Sequence, residues 1–350
     1  VDDRRPRLGV LLNGENMSLA EAIDFGVSLE DAGFDSVWHA EVQVDPIVPL
    51  AAIAARTTRI RIGTGVAVWT RSPVTAALTA ANLDELSGGR FRFGLGTSPK
   101  LFNELFYGLP YERPAQSMGE YIAAIRSVWR AHSGGAATHE GSVERFRIGG
   151  FPRTVPQERE DIPIYLAAVG QGMLRVAGAT AEGVLLNVLT APRYLHEYAF
   201  EHLAAGAAER GRSLEDLDKA CVVLTSISDD GDRAREWARQ TIAWYSVQPY
   251  FDTTFRIYGF EREAAAAREA AARGDVEAQT RAVSDEMVAT YAIAGTPEEC
   301  RSRLAVYGDL DEVVLVPTTI GLSAEERVEN LHNTRDAFRI QAGAAALAAG

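Results

Sequence analysis

The sequence predicts an α/β fold, a closed (β/α)8 TIM barrel. Strand-like and helix-like segments alternate from Arg7 onward, eight strand-like segments can be counted, and several of them end in Gly, Ala or Ser. The length of 350 residues suits one barrel with insertions, because such barrels commonly take about 250 residues or more as one unit. Residues 1–350 therefore read as a single domain.

"RLGVLLN" (Arg7–Asn13) is the first strand. Behind a Ser18 N-cap, Leu19, Ile23 and Val27 recur at helical spacing. "DSVWHA" is the second strand, and "DPIVPLAAIAART" its helix, with proline in the first turn. "RIRIGTGVAV" (Arg59–Val68) is the third strand, and Gly88-Gly89 stops the helix that follows it. "RFRFGLG" (Arg90–Gly96) is the fourth. Helical periodicity returns through "MGEYIAAIRSVWRAHSG", and "THEGSVERFRIGGF" reads as an inserted hairpin or loop. "IPIYLAAVG" is strand five with "QGMLRVAGATA" as its helix, and "GVLLNV" is strand six. "APRYLHEYAFEHLAAGAAERGR" is a long helix, "ACVVLTSIS" strand seven, "DEVVLVPT" strand eight and "SAEERVENLHNTRDAFRIQAGAAAL" the closing helix. The long interval between strands seven and eight holds an insertion, 229–290, that reads as a helical lid over the site.

The formal net charge of −13 argues against nucleic-acid binding, which needs a basic footprint, and leaves an anionic cofactor to local dipoles or a few arginines. No apolar run reaches the roughly 18 residues needed to span a bilayer, so no membrane association is expected. "VDDRRPRLGVLLN" does not read as a signal peptide, and a cytoplasmic location is the expectation. Cys221 and Cys300 lie far apart, without the spacing of a disulfide framework or a zinc site, and no metal ligands are assigned.

In a barrel, chemistry gathers at the C-terminal strand ends. Here these are Asn13, His39–Val42, Gly63–Val68, Gly94–Ser98, Ala168–Met173, Asn187, Ser226 and Pro317–Thr319. A wall so poor in side chains leaves room for a large flat body; ordinary turn chemistry is the alternative reading.

"GFDSVWHAE", "RIRIGTGVAV", "SPVTAALTAANLDELSGGRFRFGLGTSP" and "IPIYLAAVGQGMLRVAGATAEGVL" together resemble the luciferase-like family of flavin- and deazaflavin-dependent oxidoreductases. The resemblance runs in order from Leu8 to Leu186 and resumes at "AGTPEECRSRL", and it is greatest to the actinobacterial group associated with coenzyme F420. It implies a planar isoalloxazine or deazaisoalloxazine across the strand ends, and usually a homodimer. It also implies a non-proline cis peptide between Gly65 and Val66 supporting the ring, with Ala67 beside it and Gly94, Gly96 and Thr97 along the cofactor's edge. "AVGQGM" matches the family's phosphate-binding turn, in which the backbone of Val169, Gly170, Gln171, Gly172 and Met173 receives the anion.

Where luciferases carry a reactive-site histidine this chain has Val42, and Gly96 and Thr97 replace luciferase's cysteine and arginine, which disfavours light emission. Glu41 matches an acidic residue near the reactive face of the deazaflavin in relatives that use F420. Glu41 or His39 is the expected catalytic proton partner. Pairing of Glu41 with an arginine, and simple packing of His39, are the alternatives. Of the aromatic residues that could enclose the ring, Trp38, Tyr107 and Phe251 among them, Trp69, Trp244, Tyr245 and Tyr250 are assigned to the substrate pocket. The expected activity is hydride transfer between F420 and a small organic substrate. An FMN-dependent monooxygenase using O2, and a noncatalytic flavin- or deazaflavin-binding protein, are the alternatives.

Overall fold

Short apolar runs, fully buried on both faces, form the parallel strands of this chain. The computed structural model describes residues 5–13, 17–42, 44–132, 134–142, 145–149 and 153–340. In chain order the strands are β1 Arg7–Leu12, β2 Ser36–His39, β3 Arg61–Thr64, β4 Ala67–Val68, β5 Phe91–Gly96, β6 Ala137–Glu140, β7 Arg145–Ile148, β8 Ile164–Ala168, β9 Gly183–Leu186, β10 Asp218–Ile227, β11 Ala292–Gly295 and β12 Glu312–Pro317. Eight of them close a parallel barrel in the order β1-β2-β3-β5-β8-β9-β10-β12 and back to β1. This is the (β/α)8 barrel that the alternation predicts.

Three features depart from the strand and helix reading. The third predicted strand is broken: β3 stops at Thr64, and β4 resumes against β5 with Ala67 opposite Leu95. The short β11, which the sequence reading places in no strand, runs parallel to β10 outside the barrel, with Ala292 beside Leu224. The long helix after strand six is interrupted by a π-helical turn at Leu195–Ala199. The predicted hairpin is present as antiparallel β6 and β7, although Val143, Glu144, Gly150 and Phe151 lie outside the described residues. The closing helix is Ala324–Ala337, and the predicted continuation past Ile340 also lies outside them.

Alternation along each strand splits the core in two. Val10, Val37, Ile62, Phe91 and Leu315 join the layer between barrel and helices. Leu11, Trp38, Leu185, Val222 and Val314 fill the barrel, and their cluster continues into Phe251, Phe255, Met287 and Tyr291 of the insertion. That continuity seats the insertion on the barrel's mouth.

At the opposite end the interior is polar. Arg7 Nη2 donates to Asp218 Oδ1 at 2.6 Å, Tyr165 OH to Asp218 Oδ2 at 2.7 Å, and Trp38 Nε1 to Glu312 Oε1 at 2.9 Å. Arg7, Asp218 and Glu312 open their strands, at the end of a barrel that serves stability, and the side chains of Trp38 and Tyr165 reach down to them. Trp38 thereby belongs to the barrel's interior and not to an enclosure over the mouth. At the mouth, the fully buried Asn330 ties the closing helix to β10 and β12. It accepts from Ile227 N–H at 2.8 Å and donates to the Thr225 and Thr318 carbonyls.

Candidate active site

The break in the third strand is the centre of the site. The peptide bond between Gly65 and Val66 is cis, as the family resemblance implies. Glu41, just past β2, straps this bulge from both sides. Its N–H donates to the Val66 carbonyl at 3.2 Å, and its Oε2 accepts from the Val68 N–H at 2.9 Å. Arg71 holds the same oxygen in a short ion pair and reaches Asp45 Oδ2 at 2.7 Å with its other nitrogen. Burial works against the Arg71 charge, but its bonds to Glu41 and Asp45 outweigh that and hold the guanidinium above its usual pKa. The pairing of Glu41 with an arginine, one of its two readings, is present.

The glycines of β5 answer to the same bulge. A Cβ at Gly94 would lie 1.7 Å from the Thr64 carbonyl oxygen, and Thr64 Oγ1 donates to the Gly94 carbonyl at 2.7 Å. A Cβ at Gly96 would meet Val66 Cγ2 at 2.6 Å. The missing bulk that reads in the sequence as room for a ligand is thus required first by the protein's own backbone and by Val66. Val66 is partly exposed and packs against the barrel-interior cluster, whereas Ala67 is buried in the helix-facing layer.

His39 lies in register with Leu12 and Thr64, and alternation puts its ring on the helix-facing side with Val37. It is fully buried; Nδ1 donates to the Ala40 carbonyl at 3.0 Å, and Nε2 has no hydrogen-bond partner among the described residues. Burial lowers its pKa below 6.5. An unfolded chain would protonate this histidine first, so stability should fall as pH drops below about 6.5 and level off once the folded pKa is passed. His39→Asn, whose amide can keep the donation to Ala40, should show a flatter melting temperature between pH 7 and 5. His132 and His332 are shifted in the same direction, so the difference between variant and wild type isolates His39. Equal pH profiles would contradict this assignment.

Across the mouth, β8 ends in the turn that opens the helix Gln171–Thr180. Tyr194 OH donates to the Val169 carbonyl, and the Gln171 N–H donates to Tyr198 OH at 3.0 Å. No side chain caps this helix, and the N–H groups of Gly172 and Met173 have no hydrogen-bond partner among the described residues. A Cβ at Gly170 would meet nothing within 4 Å. The result is an open row of amides at a helix N-terminus, suited to an anion. The Met173 side chain packs back onto the helix-facing core.

The third wall is aromatic. Trp69 Nε1 donates to Asn103 Oδ1 at 2.7 Å, and the fully buried Asn103 donates in turn to the carbonyls of Thr97 at 2.6 Å and Pro99 at 3.0 Å. Thr97 Oγ1 and Tyr111 OH share a hydrogen bond of 3.2 Å, and Trp69 meets Tyr111 edge-on at 6.0 Å. From the insertion, Trp244 packs on Tyr245, and both Tyr245 and Tyr250 pack on Phe251. Tyr245 reaches the same interior cluster as Val66 and Val169. Burial, with Tyr111 adding to it, pushes the Tyr250 pKa up to about 12. Arg71, Asn103 and Tyr111 are missed by the sequence reading. The signals were a cation directly after the third strand in "WTRSP" and the aromatic run "LFYGLPYERP".

The luciferase-like monooxygenase model matches residues 5–310. The chain is 31% identical to an uncharacterized protein of Mycobacterium tuberculosis, covering 79% of this chain and 83% of that one. It is also 31% identical to a 5,10-methylenetetrahydromethanopterin reductase of Methanolobus tindarius, covering 86% and 90%. The solved coenzyme F420 dependent tetrahydromethanopterin reductase from Methanopyrus kandleri superposes with a TM-score of 0.80 at 26% identity, covering 95% of this chain and 98% of that one. With the cis bulge and the amide turn in the places this family's motifs imply, the chain belongs to the luciferase-like monooxygenase family.

Proposed function

We propose that this oxidoreductase uses coenzyme F420 and transfers a hydride between it and a small organic substrate. The observation that supports this best is the pairing of a strapped cis bulge with an open amide turn, on a chain 31% identical to a reductase whose solved counterpart is named as F420 dependent. When bound, the deazaflavin supplies the hydride chemistry. The protein's residues do the rest. The amides of Gly170, Gly172 and Met173 would hold its phosphate, beside the Gln171 amide that Tyr198 takes. Gly65, Val66 and Ala67 would support the ring, and Gly94, Gly96 and Thr97 would flank it. Trp69, Trp244, Tyr245 and Tyr250 would exclude water.

Glu41 acts here through the bulge it straps, with Arg71 holding its carboxylate in place. Glu41→Gln still offers an oxygen to the Val68 N–H but loses the ion pair. Its F420 affinity should fall about tenfold, roughly 1.4 kcal/mol, with kcat falling no more than that. A kcat loss of 100-fold or more with unchanged affinity would instead make Glu41 the proton partner. The family's description as luciferase-like monooxygenase supports a second reading, oxygenation, for which reduced FMN would be the cofactor. Reduced F420 oxidised in the absence of O2, in step with substrate conversion, supports the first reading; turnover that needs FMN and O2 supports the second.

A further inference from the structure

The open amide turn has a further donor beside it on a different segment, an inference that deepens the F420 reading and rests on it. The helix that follows β9 widens at Leu195–Ala199 into a π turn, where the Phe200 N–H reaches back to the Leu195 carbonyl. Turns of this kind are rare and appear mostly singly inside helices, frequently at functional sites. This one brings two tyrosines, Tyr194 and Tyr198, with ring centroids 5.4 Å apart, onto the turn at 169–171.

The two phenols act differently there. Tyr194 is buried and spends its one hydrogen on the Val169 carbonyl. Tyr198 is half-buried, and its oxygen accepts the Gln171 N–H at 3.0 Å. A phenol can donate once as well as accept, and the Tyr198 hydrogen has no acceptor among the described residues. The Gln171 amide is thus exchanged for an O–H further out, polarised by the N–H that it accepts. His202 meets the Tyr198 ring edge-on at 4.6 Å, so Tyr194 and His202 hold that ring in place before any ligand arrives. The turn itself is open: a Cβ at Gly170 would meet nothing within 4 Å, and one at Gly172 would reach Ala115 Cβ at 3.4 Å.

We propose that Tyr198 is an anion-binding residue, its hydroxyl donating to the phosphate that the Gly172 and Met173 amides receive. The π turn then has a function. It sets a preformed donor, supplied by a different βα unit, beside amides that no side chain caps.

The test needs no turnover. Wild type and Tyr198→Phe are titrated with F420 and with the deazaflavin nucleoside that lacks its phosphate, and the melting temperature of each protein is measured without ligand. Tyr198→Phe should lose roughly tenfold in F420 affinity, the low end for a hydrogen bond to a charged group, because the released Gln171 N–H can take part of its place. Nucleoside affinity and melting temperature should stay unchanged. Unchanged F420 affinity would overturn the assignment, and tighter binding would show that Tyr198 blocks the turn. An equal loss for both ligands would also overturn it, since a contact with phosphate cannot weaken a ligand that has none. Wild type that binds F420 no better than the nucleoside would remove the phosphate from this turn, and Tyr198 with it. If wild type binds neither deazaflavin, the F420 reading falls, and FMN against riboflavin decides Tyr198 by the same criteria; binding of none of the four overturns both.

Discussion

Gly94→Ala is expected to destabilise the protein by about 3 kcal/mol or more, or to prevent folding. The added Cβ would stand 1.7 Å from the Thr64 carbonyl oxygen. Backbone cannot rotate aside as a side chain can, and this carbonyl borders the bulge that Glu41 and Arg71 hold. Overpacking usually costs roughly 1–3 kcal/mol, and a clash with fixed backbone belongs at or beyond the top of that range. Two comparisons make the result interpretable. Gly170→Ala meets nothing within 4 Å and should be nearly neutral in stability. Gly96→Ala clashes with Val66 Cγ2, at 2.6 Å, and otherwise reaches Ala167 Cβ at 3.4 Å, so adding Val66→Ala should recover most of its loss. Urea unfolding of the set measures these differences, and a Gly94→Ala protein as stable as wild type would show that β3 and β5 are not packed as described.

Gly170→Asp should move stability and cofactor binding in opposite directions. Gly170 occupies an N-cap with φ −85° and ψ 157° and provides no side-chain acceptor, so an aspartate there can bond the free N–H groups of the first turn. Aspartate is a better cap than glycine by only a few tenths of a kcal/mol, and the helix dipole adds a little more. The melting temperature should stay level or rise slightly. The same carboxylate would occupy and electrostatically close the row of amides proposed to receive phosphate, lowering F420 affinity by well over tenfold. Loss of binding with loss of stability would mean simple damage to the fold. Unchanged binding would remove the phosphate from this turn.

The barrel was legible because parallel strands buried on both faces read as short apolar runs, and because turn chemistry such as Ser18 and Gly88-Gly89 marks the helix ends between them. What escaped was set by contacts between distant residues. "RIRIGTGVAV" has a strand's composition throughout, and only the strap from Glu41 shows where it breaks. β11 is the four residues Ala-Ile-Ala-Gly, too short and too small to stand out, and it is a strand because β10 offers it a free edge. In the site, the motifs located the bulge and the turn, but the reason for the glycines was invisible. Gly94 looks like space for a ligand until the Thr64 carbonyl is found in it. Glu41 as a proton carrier and Glu41 as the partner of an arginine fit the same letters, and the arginine lies thirty positions on.

The most direct test of the central claim is an anaerobic fluorescence titration of the purified protein with F420 and, in parallel, with FMN. Saturable micromolar binding of F420, with FMN far weaker, is the predicted result. A clear preference for FMN would contradict the deazaflavin assignment and favour the oxygen-dependent reading, and binding of neither would contradict the cofactor site itself.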